Sequence, residues 1–324
     1  MEEEGCLISK AVAATACTAM ALFYVAVLYA PALILRLPPP PSLQVYMIRR
    51  FLCAFISTAV SVVVCALILP IRKMEFSLLL AAYGIRADHI WQAVIFPLSL
   101  TSLLYAGSMV LKYLLLVDSW REHMNHGEGS LLNCARLFWT RVLDWGLLTV
   151  SNVLAWRNYV VAPLTEELVF RACMIPVLLS GGFKPTTVIF LCAILFSLAH
   201  LNHFMEYYSK QNNNLTKAVM VVGLQLGYTV VFGSYASFLF VRTGHLLAPL
   251  VAHVFCNFMG LPALFSRRRG VRAAKDVVLD QSKKKGLRTE PVSIHLLKPF
   301  HSCRYCNDGP KSVGYPANCG STPH

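Results

Sequence analysis

The stretch AVAATACTAMALFYVAVLYAPALIL, residues 11–35, decides the fold class because it contains no charged residue. Residues 51–70 and 90–111 are uncharged as well. A bilayer core about 30 Å thick is crossed by roughly 20 apolar residues of helix, and all three stretches reach that length. The sequence therefore predicts several membrane-spanning helices.

The composition of the chain indicates the same class of protein. Of its 324 residues, 56% are hydrophobic and 14% are charged, whereas a soluble domain has about 45–50% apolar and about 25% charged residues. These values exclude a soluble enzyme, a disordered chain, a collagen and a disulfide-stapled secreted module. We predict an all-α, polytopic bundle of about eight transmembrane helices, followed by a basic polar tail.

The apolar segments divide the chain into parts of different character. N-terminal membrane helices are expected over 1–135, a second membrane part with ionisable residues over 136–265, and a disordered tail over 266–324. The segment at 163–179 is the least typical of a full span. The predicted helices are residues 12–35, 51–69, 90–117, 137–161, 163–179, 186–205, 218–241 and 246–265.

The tail accounts for most of the net charge of +13, since residues 266–324 contain twelve Lys or Arg and four Asp or Glu. The positive-inside rule places such a segment in the cytosol. It can bind anionic membrane lipid, at about 1 kcal/mol per basic residue near the surface, although a solvated tail without a partner explains the charge equally well. No aromatic or motif context indicates nucleic-acid binding.

Two adjacent acids, Glu166 and Glu167, lie in an apolar segment where a charge is costly and usually functional. Neighbours on a helix point about 100° apart, so the two carboxylates are expected to have different roles. Glu167 shares a face with Arg171, which predicts an ion pair, and this leaves Glu166 as a candidate general base. Alternatively, Thr165 caps the helix and both acids simply complement its dipole.

Polar residues also occur in two later helices. Phe196 and His200 lie on one face near the end of a predicted helix, and His203 follows, where an interfacial position is the simpler interpretation. A lone histidine such as His200 is more often a packed core residue than a catalyst. His253 and Asn257, four residues apart, share a helical face and can donate hydrogen bonds to an oxyanion or join helices through hydrogen bonds.

Together these residues are typical of a hydrolytic centre, in which a base activates water and donors stabilise the developing oxyanion. The sequence contains no G-x-S-x-G motif. It contains no H-E-x-x-H zinc motif either. A covalent serine nucleophile therefore has no support in the sequence, and we predict direct attack by water.

Three motifs carry a family resemblance. Glu166-Glu167-x-x-x-Arg171, Phe196-x-x-x-His200 and His253-x-x-x-Asn257 match, in order, motifs of the CAAX protease and bacteriocin-processing membrane proteins. Residues 163–265 resemble in particular the Ras-converting, type II CAAX prenyl endopeptidases, and the resemblance extends over about 90–265. It implies that 136–265 is a catalytic core.

The resemblance implies an intramembrane endopeptidase of the endoplasmic reticulum that releases the C-terminal tripeptide of farnesylated or geranylgeranylated C-a-a-X proteins, such as Ras-like GTPases. It assigns water activation to Glu166 with His200, and the oxyanion to His253 and Asn257. The supporting residues are Glu167, Arg171, Phe196 and His203. No metal or other cofactor is expected.

Two alternatives remain open at the level of sequence. In the first, Glu166, His200 and His253 bind zinc in a membrane metalloprotease. In the second, the chain is a membrane scaffold whose catalysis is impaired, because the polar sequence after Phe265 replaces the apolar sequence with which members of the family continue.

Overall fold

A computed structural model describes residues 8–69, 76–111, 149–204 and 214–260, together with isolated positions between 113 and 147 and at 208. All regular elements in these ranges are helices, which confirms the predicted all-α class. The predicted tail at 266–324 lies outside the described residues, and its disorder and its position in the cytosol stay predictions. The division at residue 135 likewise stays a prediction.

The structure gives the bounds of eight helices in the described ranges, and a single helical turn, Ala30–Leu33, follows the first of them. The fifth runs through residues 153–180 and contains short segments of different winding. In chain order the helices are α1 (Lys10–Val27), α2 (Leu43–Ile68), α3 (Phe76–Ala82), α4 (Ile90–Leu104), α5 (153–180), α6 (Pro185–Ala199), α7 (Leu215–Thr243) and α8 (Leu247–Met259).

Three of these helices, α1, α2 and α7, are long and apolar enough to cross a membrane. Helices α4, α6 and α8 are apolar but shorter. Large apolar side chains on the outer surface, such as Leu22 and Leu67, are 66% and 79% exposed. An outward apolar surface of this kind suits lipid acyl chains rather than water.

The predicted break between helices at residues 161–163 is wrong, because α5 is continuous there. Two π-helical turns, Arg157–Val161 and Leu168–Cys173, interrupt its regular winding. The first π turn ends just before Pro163, which occupies an opening position of the α-helical segment Ala162–Glu167. A proline is tolerated there because the hydrogen-bond ladder is already irregular where the winding changes, so its missing N–H does not break a regular run of bonds.

Helix α5 forms the centre of the bundle. Its residues from Val169 to Ile175 are at most 1% exposed, as expected for a helix that is surrounded by others. The Cys17 thiol of α1 donates to the Met174 carbonyl at 3.6 Å, and the Cys65 thiol of α2 donates to the Cys173 carbonyl at 3.4 Å. The N-terminal helices thus share one core with the second part of the chain.

A glycine permits the close approach of α6 and α7. A Cβ atom on Gly233 would lie 3.0 Å from the Cα and 3.2 Å from the Cβ of Ala193. Gly227, on the same helix, has nothing within 4 Å of such an atom. The absence of a side chain at Gly233 therefore permits this approach and also leaves room for the Phe196 ring, whose Cδ1 atom would lie 3.3 Å from the added Cβ atom.

We predict that Gly233→Ala lowers the thermal unfolding temperature in detergent, because a backbone atom of α6 must move to accept the methyl group. Overpacking of this kind costs about 1–3 kcal/mol, more than the roughly 0.5–1 kcal/mol that alanine gains over glycine in a helix. The matched control Gly227→Ala should leave the temperature unchanged or raise it. Equal unfolding temperatures for the two variants would contradict the inference that α6 and α7 are closely packed at Gly233.

Candidate active site

The two glutamates occupy the α-helical segment of α5 between its π turns, where they have different environments. Glu167 is fully buried, whereas the side chain of Glu166 is 18% exposed. This difference agrees with the expectation that adjacent helical residues point in different directions. Of the two, Glu166 has the carboxylate that a water molecule can reach.

Glu167 and Arg171 form the ion pair that their four-residue spacing predicts. The Arg171 Nη1 atom donates to Glu167 Oε1 at 3.0 Å, and both side chains are essentially inaccessible. The guanidinium carbon lies 4.4 Å from the ring centre of Phe196 and 5.8 Å from that of Phe232, so cation–π attraction adds to the pairing. The Nη2 atom donates to the Gly233 carbonyl at 3.4 Å.

His253 of α8 lies between the two glutamates. Its Nδ1 atom is 2.7 Å from Glu167 Oε1, the same oxygen that Arg171 binds. An ionised carboxylate only accepts hydrogen bonds, so Nδ1 carries the hydrogen and donates. The Nε2 atom lies 3.8 Å from Glu166 Oε2, beyond direct hydrogen-bond distance. In the neutral ring, Nε2 is therefore the nitrogen with the lone pair.

His200 begins the 3₁₀ turn His200–His203 that follows α6. Its Nδ1 atom donates to the Phe196 carbonyl at 2.8 Å, which leaves Nε2 as the acceptor in the neutral ring. The Phe196 ring centre lies 4.7 Å from that of His200 and 6.3 Å from that of His253. The structure thus brings His200 to the same aromatic cluster, whereas the side chain of His203 lies outside what it describes.

Asn257 follows His253 by one turn of α8, on the face predicted for both. Its Nδ2 atom donates to the carbonyl of Asn158, in the first π turn of α5, at 2.8 Å. One hydrogen of the amide is used in this contact and the second is available to another acceptor. Asn257 is therefore held in orientation and keeps one N–H for another acceptor.

Sequence reasoning missed a hydroxyl pair beside Glu166. Thr165 does not cap the helix, as the alternative interpretation required; its hydroxyl donates to the Val161 carbonyl at 2.8 Å. Because that hydrogen is used, the Tyr24 hydroxyl of α1 must donate to Thr165 Oγ1, which lies 3.0 Å away. These residues are 141 positions apart, and nothing in the sequence pattern links them.

Among the residues that the structure describes, no three side chains of His, Cys, Asp or Glu lie close enough together to hold a metal ion. The zinc alternative predicted that Glu166, His200 and His253 form such a group. The geometry therefore gives this alternative no support.

Comparison with known proteins identifies the family. Residues 149–259, which include every predicted site residue, match the model of the type II CAAX prenyl endopeptidase Rce1-like family. The CAAX prenyl protease 2 of Arabidopsis thaliana is 56% identical over 85% of this chain and 88% of its own length. No solved structure matches the chain.

More distant relatives carry the same description. The CAAX prenyl protease 2 of Caenorhabditis elegans is 32% identical over 66% of this chain and 71% of its own length. That of Homo sapiens is 37% identical over 57% of this chain and 52% of its own length. The chain therefore belongs to the family of type II CAAX prenyl endopeptidases and is a multi-pass helical membrane protease.

Proposed function

We propose that this protease releases the C-terminal tripeptide of farnesylated or geranylgeranylated C-a-a-X proteins, Ras-like GTPases among them, in the membrane of the endoplasmic reticulum. The names of the relatives support prenylated C-a-a-X substrates. One geometric observation carries the mechanism: His253 lies between a buried glutamate at 2.7 Å and a more accessible glutamate at 3.8 Å. The two carboxylates then have separate tasks.

Glu166 acts as the general base in this proposal, because its carboxylate is the accessible one. It takes a proton from water as the oxygen attacks the carbonyl carbon of the prenylated cysteine. His200 positions the same water through its Nε2 lone pair. When the carbon–nitrogen bond breaks, the proton passes from Glu166 to the leaving amine of the tripeptide, and the prenylated cysteine keeps the new carboxylate.

His253 and Asn257 stabilise the oxyanion that forms during the attack. Asn257 contributes the amide hydrogen that Asn158 does not use. Because Nδ1 of His253 is bonded to Glu167, donation from Nε2 requires both ring nitrogens to carry hydrogen, and the glutamates supply negative charge on both sides of that ring. Fixed donors in a largely dry site stabilise such charge strongly.

Glu167 and Arg171 have a positioning task. Glu167 fixes the orientation of the His253 ring, and Arg171 balances the charge that this carboxylate brings into the core. Phe196 and Phe232 cover the guanidinium and border the His253 ring. The proposal thus separates the residues that touch the reacting atoms from those that hold them in place.

Glu166→Gln should reduce tripeptide release from a farnesylated C-a-a-X peptide by about 10²–10⁴-fold, the usual contribution of a general base. The thermal unfolding temperature should stay near that of the wild type, because Glu166 is partly exposed and makes no direct hydrogen bond to His253. Wild-type turnover by this variant would refute the proposed mechanism.

Glu167→Gln should lower both activity and stability. It leaves the Arg171 charge buried without its partner, a change that costs about 3–5 kcal/mol in other proteins. Thermal unfolding and peptide cleavage measure the two effects. The double variant Glu167→Leu/Arg171→Met removes both charges and should recover stability while remaining inactive, since His253 has lost its acceptor. Recovery of activity in the double variant would argue against the positioning task.

Asn257→Ala should lower kcat by about 10²–10³-fold, the loss expected when one oxyanion donor is removed. KM for the peptide should change little, because the donor acts mainly in the transition state. Steady-state kinetics on the same peptide provide both constants. A rise in KM with an unchanged kcat would instead place Asn257 in substrate binding.

A further inference from the structure

Several basic side chains lie at one end of the bundle. The residues of the proposed catalytic cluster, Glu166, His200, His253 and Asn257, lie nearer to this end than to the other. Arg50 lies in the second turn of α2 and Arg157 near the start of α5. Within the described ranges, the carboxylates of Glu166 and Glu167 are the only ones in this half of the bundle, since Asp88 lies beyond the opposite end, before α4. The other basic residues at this end, among those whose positions the structure describes, are Arg36, Arg49 and Lys217.

Arg50 differs from its neighbour Arg49 in how its guanidinium is used. Arg49 Nη1 donates to the Pro38 carbonyl at 2.8 Å. Arg50 Nη1 donates to the Tyr46 hydroxyl at 3.1 Å, and its charge lies 5.7 Å from the centre of the Tyr46 ring. No carboxylate of the described residues pairs with Arg50. A half-buried guanidinium without an anion is poised to bind one.

The packing of α2 places Arg50 at the same end of the bundle as the site. The Tyr24 hydroxyl of α1 donates to Thr165, the residue before Glu166. Helix α2 packs against α1 and against the segments of α5 that contain Asn158 and Glu166. Arg50, in the second turn of α2, therefore lies near this end of α5.

The register of α2 and α5 indicates the separation along the helices. The Cys65 thiol meets the Cys173 carbonyl, and Arg50 lies fifteen residues before Cys65, about 22 Å away at 1.5 Å per residue. Glu166 lies seven residues before Cys173, about 10 Å in the same direction. The axial offset is thus about 12 Å, and three extended residues span about 10–11 Å.

The substrate's own charge creates a need for such a cation. With both ring nitrogens of His253 carrying hydrogen, as donation to the oxyanion requires, the two glutamates, Arg171 and His253 have a formal sum of zero. The site therefore offers no net positive charge to the α-carboxylate of a bound tripeptide, and a buried charge without a partner is costly. A guanidinium matches a carboxylate with two parallel hydrogen bonds and provides that partner.

We infer that Arg50 binds the C-terminal α-carboxylate of the substrate and so selects for cleavage three residues from a free C-terminus. The inference rests on the proposed function, since it assigns one subsite of that cleavage. The axial offset of about 12 Å between Arg50 and Glu166 is close to the length of a tripeptide, which is the product that the proposed reaction releases.

The test compares two farnesylated peptides of one sequence, one ending in a free carboxylate and the other in a carboxamide. Both are measured as competitors of tripeptide release from a reporter C-a-a-X peptide by the full-length protein. The wild type should prefer the acid about tenfold to hundredfold, the usual worth of hydrogen bonds to a charged group. Arg50→Gln should reduce this preference to near one and leave inhibition by the amide unchanged.

Two further variants make the comparison specific. Arg49→Gln changes the adjacent cation and should keep the wild-type preference for the acid peptide. Arg50→Lys keeps the charge but cannot make two parallel hydrogen bonds, so its preference for the acid should lie between those of the wild type and Arg50→Gln. The amide peptide lacks the carboxylate that Arg50 is inferred to bind, so its inhibition of a variant shows whether that variant is correctly folded. An undiminished preference in Arg50→Gln and Arg50→Lys would overturn the inference alone, while absence of tripeptide release by the wild type would overturn the proposed function and the inference with it.

Discussion

A single buried carboxylate oxygen, Oε1 of Glu167, constrains the rest of the structure. It accepts hydrogen bonds from Arg171 at 3.0 Å and His253 at 2.7 Å, so it joins α5 to α8 in the interior. A buried charge is tolerated only with partners, and removal of either partner would leave charge in an apolar core. Phe196 and Phe232 enclose the guanidinium and thereby tie α6 and α7 to the same point.

The N-terminal helices complete this centre rather than merely anchoring it. Cys17 and Cys65 donate from α1 and α2 to backbone carbonyls of α5, and Tyr24 donates to Thr165 beside the accessible glutamate. The match to the family model, at 149–259, contains the three sequence motifs but none of these three residues. Their contribution becomes apparent only through the packing.

Local rules predicted part of this arrangement. The helical class followed from long uncharged stretches, and the pair of Glu167 and Arg171 followed from their spacing. The contact of His253 with Glu167 did not, because residues 86 positions apart meet only through the crossing of two helices. The continuity of α5 through Pro163 was mispredicted, since π turns depend on tertiary contacts and leave no clear pattern in composition.

The two π turns of α5 set the directions of its side chains. A π turn holds one residue more than a regular turn, so each absorbs an extra residue while the helix on either side keeps its direction. If Arg157–Val161 took up regular winding with all of its residues retained, the side chains after it would rotate by about 100° around the axis relative to those before it. Such a change would redirect both glutamates without altering any residue of the site, so the width of this turn decides where the two carboxylates point.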